Sequence, residues 1–330
     1  MDNPPHHDID EEERLRTALA QRVKLQQLRV FLEVARQGSV SKAAAVLHLA
    51  QPAVTKTLRE LERLLGAQLF ERQARGVVLT RAGGLILPHV HAIFADLARV
   101  GEAMSAFQRG ACGAVTVGAT MAALPALLPE SLADAAVREA GGLVRVVEGT
   151  VEPMLAALDR GEIDLLIGRI VIGSRDHLAH EILFEDPFVP VVGARHPLAG
   201  GVRSDADLSA FPWVIPPFGS SAAEPLERYF LKNKIVPNGR TIETVSYLTI
   251  LRLLERTDTI AILPGHLAAA EVMRGTLVPV APPLAEGRLP VGITRRRDRP
   301  LPPFAETFAG AVRRAARALG GADGPDAAKT

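Results

Sequence analysis

The stretch Pro52–Leu65 is the strongest constraint in the chain, because its apolar residues can be buried only if it is a helix with one face inward. Taking Val54 as zero and stepping about 100° per residue, Leu58, Leu61 and Leu65 fall within roughly 40° of it. The opposite arc carries Thr55, Lys56, Arg59 and Arg63. Upstream, Leu25, Leu28, Leu32 and Ala35 define the buried face expected of a first helix, which Gly38 ends where a left-handed residue is cheap. Ser41 is placed to cap a second helix, in which Ala43, Ala44 and Ala45 allow a close crossing and Val46, Leu47 and Leu49 give apolar surface around the turn. After Gly66, Leu69–Thr80 reads as a two-stranded hairpin whose tip carries Arg72 and Arg75.

The cations on the third helix have two readings. Exposed Lys and Arg are the default on any helix, so a solvated face suffices for them singly. The alternative is a surface for duplex DNA: phosphates held by the cations, with Thr55, Lys56 and Gln51 presented to base edges in the major groove. Local charge favours the second. Val23–Arg81 has ten Lys or Arg against four acids, while the whole chain is only +1. Positive charge is therefore gathered on one segment, as release of counterions from a phosphate backbone requires.

The quoted segment resembles the winged helix-turn-helix of LysR-type transcriptional regulators. The resemblance rests on Ala43-Ala44, Leu47-His48, Gln51-Pro52-Ala53, Leu61-Glu62, Leu65-Gly66, Leu69-Phe70, Glu71-Arg72 and Leu79-Thr80. It implies DNA contacts from Ser41, Gln51, Pro52, Thr55, Lys56, Arg59, Arg72 and Arg75. The family usually has Ser before the Gln-Pro pair. Here Ala50 stands instead, so no contact carries over to that position. The fragments VTKTLRELE, DLLIGR, IETVS and GITRRRD look like the branch with regulators of protocatechuate breakdown and of a galactose-binding protein.

Residues 1–22 are expected to be a flexible extension. It opens on Pro4-Pro5 and His6-His7 and turns acidic at Glu11-Glu12-Glu13, without the basic start and apolar core of a secretion signal. No apolar run reaches the ~18 residues of a membrane span, and 48% hydrophobic with 23% charged residues is ordinary for a soluble globular chain. A cytoplasmic protein is the expectation. Cys112 is the only cysteine, which excludes an intramolecular disulfide and a cysteine-rich zinc site, and it is expected to pack at a domain boundary.

From Arg81 to Gln108, Ile86, Val90, Ile93, Leu97, Val100, Met104 and Phe107 alternate steps of four and three. That is a coiled-coil seam, although the same stripe would serve a helix docked on its own wing domain. Paired, it would make a homodimer with two recognition helices on one DNA face, and such dimers can pair into a homotetramer.

Beyond Gly113 short apolar runs (115–118, 144–147, 164–168, 213–215, 260–263, 291–294) alternate with helices at 124–140, 152–160, 222–234 and 247–255. This βα alternation predicts largely parallel sheets. An extended passage, Glu181–Arg195, crosses into a second subdomain and Arg288–Arg295 crosses back, leaving the last helix, Pro303–Leu319, on the first. The resemblance implies the same fold: a winged helix-turn-helix joined by a coiled-coil linker helix to an α/β effector domain like a small periplasmic binding protein. The expected bounds are 23–80 for the DNA-binding domain, with the helix-turn-helix at about 39–58, and 81–110 for the linker. The effector domain takes 111–320, with subdomain I at about 113–186 and 288–320, subdomain II at about 187–287, and a flexible tail at 321–330.

Hydroxyls recur where strands give way to helices: Thr120, Thr150, Ser220-Ser221 and Ser246. Each can simply cap a helix. Several helix N-termini converging on one cleft would instead hold an anion, with Arg169 as counter-charge. The resemblance adds Met121 and Tyr247 to this effector set, with Leu263 and Pro264 as the wall. It implies a small-molecule effector, an aromatic acid or sugar-derived, and promoter DNA and RNA polymerase as partners.

No G-x-S-x-G elbow, phosphate loop or H-E-x-x-H motif points to an enzyme. His177 and His180 show no obvious acidic or cysteine co-ligands, so neither metal nor cofactor is expected. A solute-binding protein matches the cleft but not the basic amino-terminal segment; a cleft enzyme is the remaining alternative.

Overall fold

A computed structural model describes residues 19, 21–74, 76–108, 112–171, 173, 175–201, 205–217, 220, 223–238, 241–284 and 289–319. The expectations for His6-His7, the acidic run, Arg75, Ser221 and residues 321–330 lie outside the described residues. The chain divides into two compact units, Met1–Ala98 and Arg99–Thr330.

The first unit opens with α1 (Leu25–Gln37), ended by Gly38 at φ +59°, whose N–H bonds Val34 O. Its buried face is Gln27, Leu28, Val30, Phe31 and Val34, turned from the expected line, and Leu25 is half exposed. The cause is Phe31, which packs on Phe70 with ring centroids 5.4 Å apart and draws its side of the helix inward. In α2 (Val40–Leu47) Ser39, not Ser41, is the cap: the helix starts immediately after Ser39, whose hydroxyl accepts from the Lys42 N–H at 3.4 Å. Ser41 lies inside the first turn with its hydroxyl 3.1 Å from that of Ser39.

Next come α3 (Gln51–Leu65), with Val54, Leu58 and Leu61 buried, and the hairpin β1 (Phe70–Gln73) and β2 (Gly76–Leu79), in register Phe70↔Leu79 to Gln73↔Gly76. The hairpin is sewn to the end of α1 by Val77 N–H donating to Gly38 O at 2.9 Å. Then α4 (Arg81–Gln108) buries Val90 and half-buries Ile86 against the first unit's core. Ile93, Leu97, Val100, Met104 and Phe107 stay exposed. Docking on the helix's own domain accounts for the start of the seam and leaves its remainder an apolar stripe.

The second unit continues with β3 (Ala114–Ala119), α5 (Leu127–Ala133), α6 (Ala135–Ala140), β4 (Leu143–Glu148), α7 (Val151–Arg160) and β5 (Leu165–Arg169). After these come β6 (Leu178–Asp186), β7 (Phe188–Gly193), α8 (Asp205–Ser209), β8 (Trp213–Ile215), α9 (Glu224–Asn233), β9 (Ile242–Glu243) and α10 (Tyr247–Arg256). The unit closes with β10 (Ile260–Pro264), α11 (Gly265–Met273), β11 (Leu277–Pro279), β12 (Leu289–Arg296) and α12 (Pro303–Leu319). One sheet has the order β4-β3-β5-β12-β6 and the other β11-β7-β10-β8-β9.

These sheets are mixed rather than largely parallel. Strands joined through helices run parallel, as β3 does to β4 and β5, and β8 to β9 and β10. Strands that carry the chain between sheets run antiparallel: β12 against β5 and β6, β7 against β10 and β11. Only Pro187 separates β6 from β7, so the expected extended passage is two strands in two different sheets.

The single helix expected at 124–140 is broken at Asp134, whose carboxylate caps Ala136 N–H at 2.9 Å and clamps Arg314 of α12 at 2.7 and 2.8 Å. Phe304, Phe308 and Val312 of α12 fill the core of the first sheet. Cys112 is exposed, against the expectation of burial, because it precedes β3 and lies outside its ladder.

Gly76 has φ +135°, and a Cβ there would lie 2.2 Å from Gly38 O. Gly76→Ala is expected to cost about 1–3 kcal/mol in strain, read as a lower thermal midpoint with the melting of the second unit unchanged.

Candidate functional site

The exposed arc of α3 follows from its buried one. Val54 and Leu61 are fully inside, so Lys56, Arg59 and Arg63 must face out, and among the described residues none of the three forms an ion pair. A concavity of about 630 Å³ is lined by Gln51, Pro52, Thr55, Lys56, Arg59, Glu60 and Arg63. The Thr55 hydroxyl donates to Gln51 O at 3.1 Å, leaving its lone pairs outward. Ala50 at the N-cap offers no side-chain acceptor, Pro52 carries no N–H and the Ala53 N–H donates to Ala50 O at 2.9 Å, so of the first three residues of α3 Gln51 is the one with an N–H to offer a phosphate oxygen. Arg72 is exposed on β1 and Ser41 is exposed on α2.

The cleft residues sort differently. Thr120 follows β3, is 6% exposed, and its Oγ1 has no hydrogen-bond partner among the described residues; Ser220 Oγ is likewise buried and unpartnered. Met121 packs on the core of the second sheet, formed in part by Val189, Val214 and Leu263. Thr150 is the N-cap of α7, yet its hydroxyl makes no capping bond. Ser246, by contrast, caps α10 by accepting from Thr249 N–H at 3.4 Å. Leu263 is fully enclosed in the core and so contributes packing rather than a wall, and Pro264, also buried, leads into α11.

Arg169 is not a free counter-charge. It is 7% exposed, and its guanidinium donates to Asp186 O at 2.9 Å and, at 3.5 Å, to Asp186 Oδ2. It also lies 3.9 Å from the centre of the Phe188 ring. Burial lowers its pKa to about 10, opposed by the charge of Asp186.

Asp186 is the residue that sequence reasoning missed. Its Oδ1 accepts the His266 N–H at 3.0 Å, capping α11, and its Oδ2 lies 2.9 Å from His266 Nδ1. An ionised carboxylate can only accept, which places a proton on Nδ1. The signal was an acid immediately before a proline where one apolar run gives way to the next.

Tyr247 also has a committed partner: its hydroxyl donates to Glu271 at 3.1 Å, and burial raises its pKa. Glu271 is 4% exposed, and bonds from Thr276, Tyr247 and Arg274 outweigh burial and hold it below the usual carboxylate range. His177 does have an acidic neighbour, Asp159 at 2.8 Å, against expectation. Among the described residues no three such side chains gather where they could hold a metal ion. No helix among them is long and apolar enough to cross a membrane.

Two family profiles match this chain: the bacterial regulatory helix-turn-helix protein, lysR family, over residues 25–84, and the LysR substrate binding domain over residues 108–317. The HTH-type transcriptional regulator PcaQ of Agrobacterium fabrum is 34% identical over 280 residues, covering 84% of this chain and 90% of that protein. GbpR of Azospirillum brasilense is 29% identical over 306 residues, 90% of this chain and 88% of that one. The crystal structure of full-length CbnR complexed with target DNA shares the fold with TM-score 0.58 at 23% identity, covering 89% of this chain and 100% of CbnR.

Two outcomes follow from this geometry. Lys56→Ala with Arg59→Ala is expected to weaken promoter binding at least tenfold and to reduce the salt slope of log K by about 2, measured by gel shift. Asp186→Ala strands a buried guanidinium and is expected to destabilise the second unit by about 3–5 kcal/mol in denaturant unfolding.

Proposed function

The chain belongs to the LysR family of DNA-binding transcriptional regulators, and from that premise we propose how its parts divide the work. It carries a helix-turn-helix at its amino-terminal end and an effector-binding domain beyond it. In the proposal, α3 enters the major groove with Gln51, Pro52 and Thr55 toward base edges and Lys56 and Arg59 on phosphates, while Arg72 on the wing and Ser41 on α2 touch the backbone. The observation that carries this is the set of α3 cations without an ion pair among the described residues, set opposite the buried Val54, Leu58 and Leu61.

The effector site lies in the cleft between the two sheets. Thr120 and Ser220 support this, because a buried hydroxyl without a partner costs free energy that a ligand's polar groups would recover. The free hydroxyl of Thr150 at the start of α7 adds a third contact, and its open helix end suits an anionic or sugar-derived metabolite. Arg169 acts on the ligand only at the expense of Asp186.

The exposed stripe Ile93, Leu97, Val100, Met104 and Phe107 supports a homodimer joined through α4. Pairing of two dimers, contact with RNA polymerase and a cytoplasmic location complete the reading. An effector that binds one setting of the subdomains better than the other would shift the footprint of the bound protein. The relatives named above are transcriptional regulators, in keeping with a regulator rather than a cleft enzyme or transport protein.

Footprinting on DNA from upstream of the chain's own gene, with a panel of small carboxylic acids and sugars, tests the reading. Thr150→Ala is expected to raise the effector concentration needed for half-response about tenfold while promoter affinity stays within twofold. Parallel loss of both properties would show that the cleft and the DNA surface are not separable.

A further inference from the structure

Six acids, Asp2, Asp8, Asp10, Glu11, Glu12 and Glu13, precede Arg14, the first Lys or Arg. The helix-turn-helix match begins only at residue 25, so this run lies outside the region shared with the family. Nothing in the DNA-reading geometry uses it.

We propose that the segment Asp8–Glu13 docks in cis on the cationic arc of α3 and competes with duplex DNA for it. The inference rests on the reading of that arc as the phosphate-facing surface. Three observations support it.

First, the charges are complementary and uncommitted. Lys56, Arg59 and Arg63 form no ion pair among the described residues, although Glu60 lies four positions from Lys56 on the same helix. Second, the arc borders a concavity of about 630 Å³, where an extended chain can lie with carboxylates toward several cations at once. Third, the segment reaches. Leu19 is the first described residue, and Glu13 and Asp8 lie six and eleven residues before it. At ~3.3–3.6 Å per residue that is about 20–40 Å of extended chain, against a domain of this size about 25 Å across.

Each such ion pair is weak when exposed to solvent. Tethering sets the local concentration near the millimolar range, which lets several weak pairs compete together. A duplex of arbitrary sequence offers only phosphates and has to displace the segment on charge alone. A target site adds base contacts and displaces it more readily. The device therefore weakens both kinds of duplex by the fraction of chains whose arc is free, so that the operator is still bound at protein concentrations where non-target DNA is left empty, and added salt weakens it.

The test compares the full chain with a variant carrying Asp8→Asn, Asp10→Asn, Glu11→Gln, Glu12→Gln and Glu13→Gln. On an unrelated duplex at 50 mM salt the variant is expected to bind about tenfold more tightly, the gap closing to about threefold or less at 200 mM. Without DNA, limited acetylation read by mass spectrometry is expected to label Lys56 about threefold faster in the variant, with Lys234 unchanged as control, because a paired ammonium is a poorer nucleophile.

Equal affinity together with equal Lys56 labelling overturns the proposal. Tighter DNA binding with unchanged labelling also overturns it, since the acids would then repel DNA from a distance without docking. Lys56 protection that rises with protein concentration would assign the contact to a neighbouring copy and remove the cis arrangement. If Lys56→Ala with Arg59→Ala leaves DNA binding intact while Lys56 labelling in the chain that keeps Lys56 still responds to the acids, docking stands and the DNA reading of α3 fails. Competition with DNA then falls with it.

Discussion

A helix can turn only one face to a core, and in α3 that choice is complete. Val54 and Leu61 have no exposure at all, which fixes the rotation of the helix to within a fraction of a residue. Every cation three or four positions along the other side is then held in water without needing a partner. The rest of the first unit serves this rotation: Phe31 meets Phe70 on the hairpin, and Gly38 O receives Val77 N–H, so α1, hairpin and α3 share one core. The same constraint explains α4. Its first turns spend their apolar face on that core, and beyond Phe94 Leu97, Val100, Met104 and Phe107 stay exposed among the described residues.

Where the chain passes from one sheet to the other in the second unit, a charge does the positioning. Asp186 ends β6, Phe188 begins β7, and the single residue between them is proline. At that point the carboxylate caps α11 from one side and faces Arg169 from the other, while Phe188 lies under the guanidinium. A buried pair of this kind adds little net stability but penalises strongly any arrangement that separates it. It therefore restricts how the two sheets can be set relative to each other.

Much of this was readable in the order of residues, and the failures have identifiable causes. Helical periodicity located α3 because leucines at three- and four-residue spacing have no other common explanation. The face of α1 was misjudged because Leu25 and Leu32 look as apolar as Phe31 on paper, whereas ring packing against Phe70 decided the rotation. The cap of α2 was displaced from Ser41 to Ser39 because two serines with one residue between them are equivalent until the start of the helix is known. Strand direction was misread wherever a connection lacks a helix, as at Pro187, since an apolar run has no arrow. Asp186 and His266 escaped notice because they meet across a sequence separation of 80 residues. Spacing rules register only neighbours along the chain.

The state of Arg169 also changes what kind of ligand the proposed cleft would prefer. A guanidinium with an uncommitted charge would favour a carboxylate by direct pairing. Here that charge already faces Asp186 and the ring of Phe188, so a ligand anion would have to unseat the pair before gaining from it. Among the described residues, the groups left uncommitted there are neutral: the hydroxyls of Thr120 and Ser220, and the amides at the start of α7 beside Thr150. These groups can hold a carboxylate through hydrogen bonds and a helix dipole, or a polyol through hydrogen bonds alone. Selectivity in such a site comes from where its donors and acceptors stand rather than from net charge. Of the two effector classes, the sugar-derived one leaves the Arg169–Asp186 pair undisturbed, and an acid gains the pair's attraction only by loosening the contact that ties β5 to the crossover.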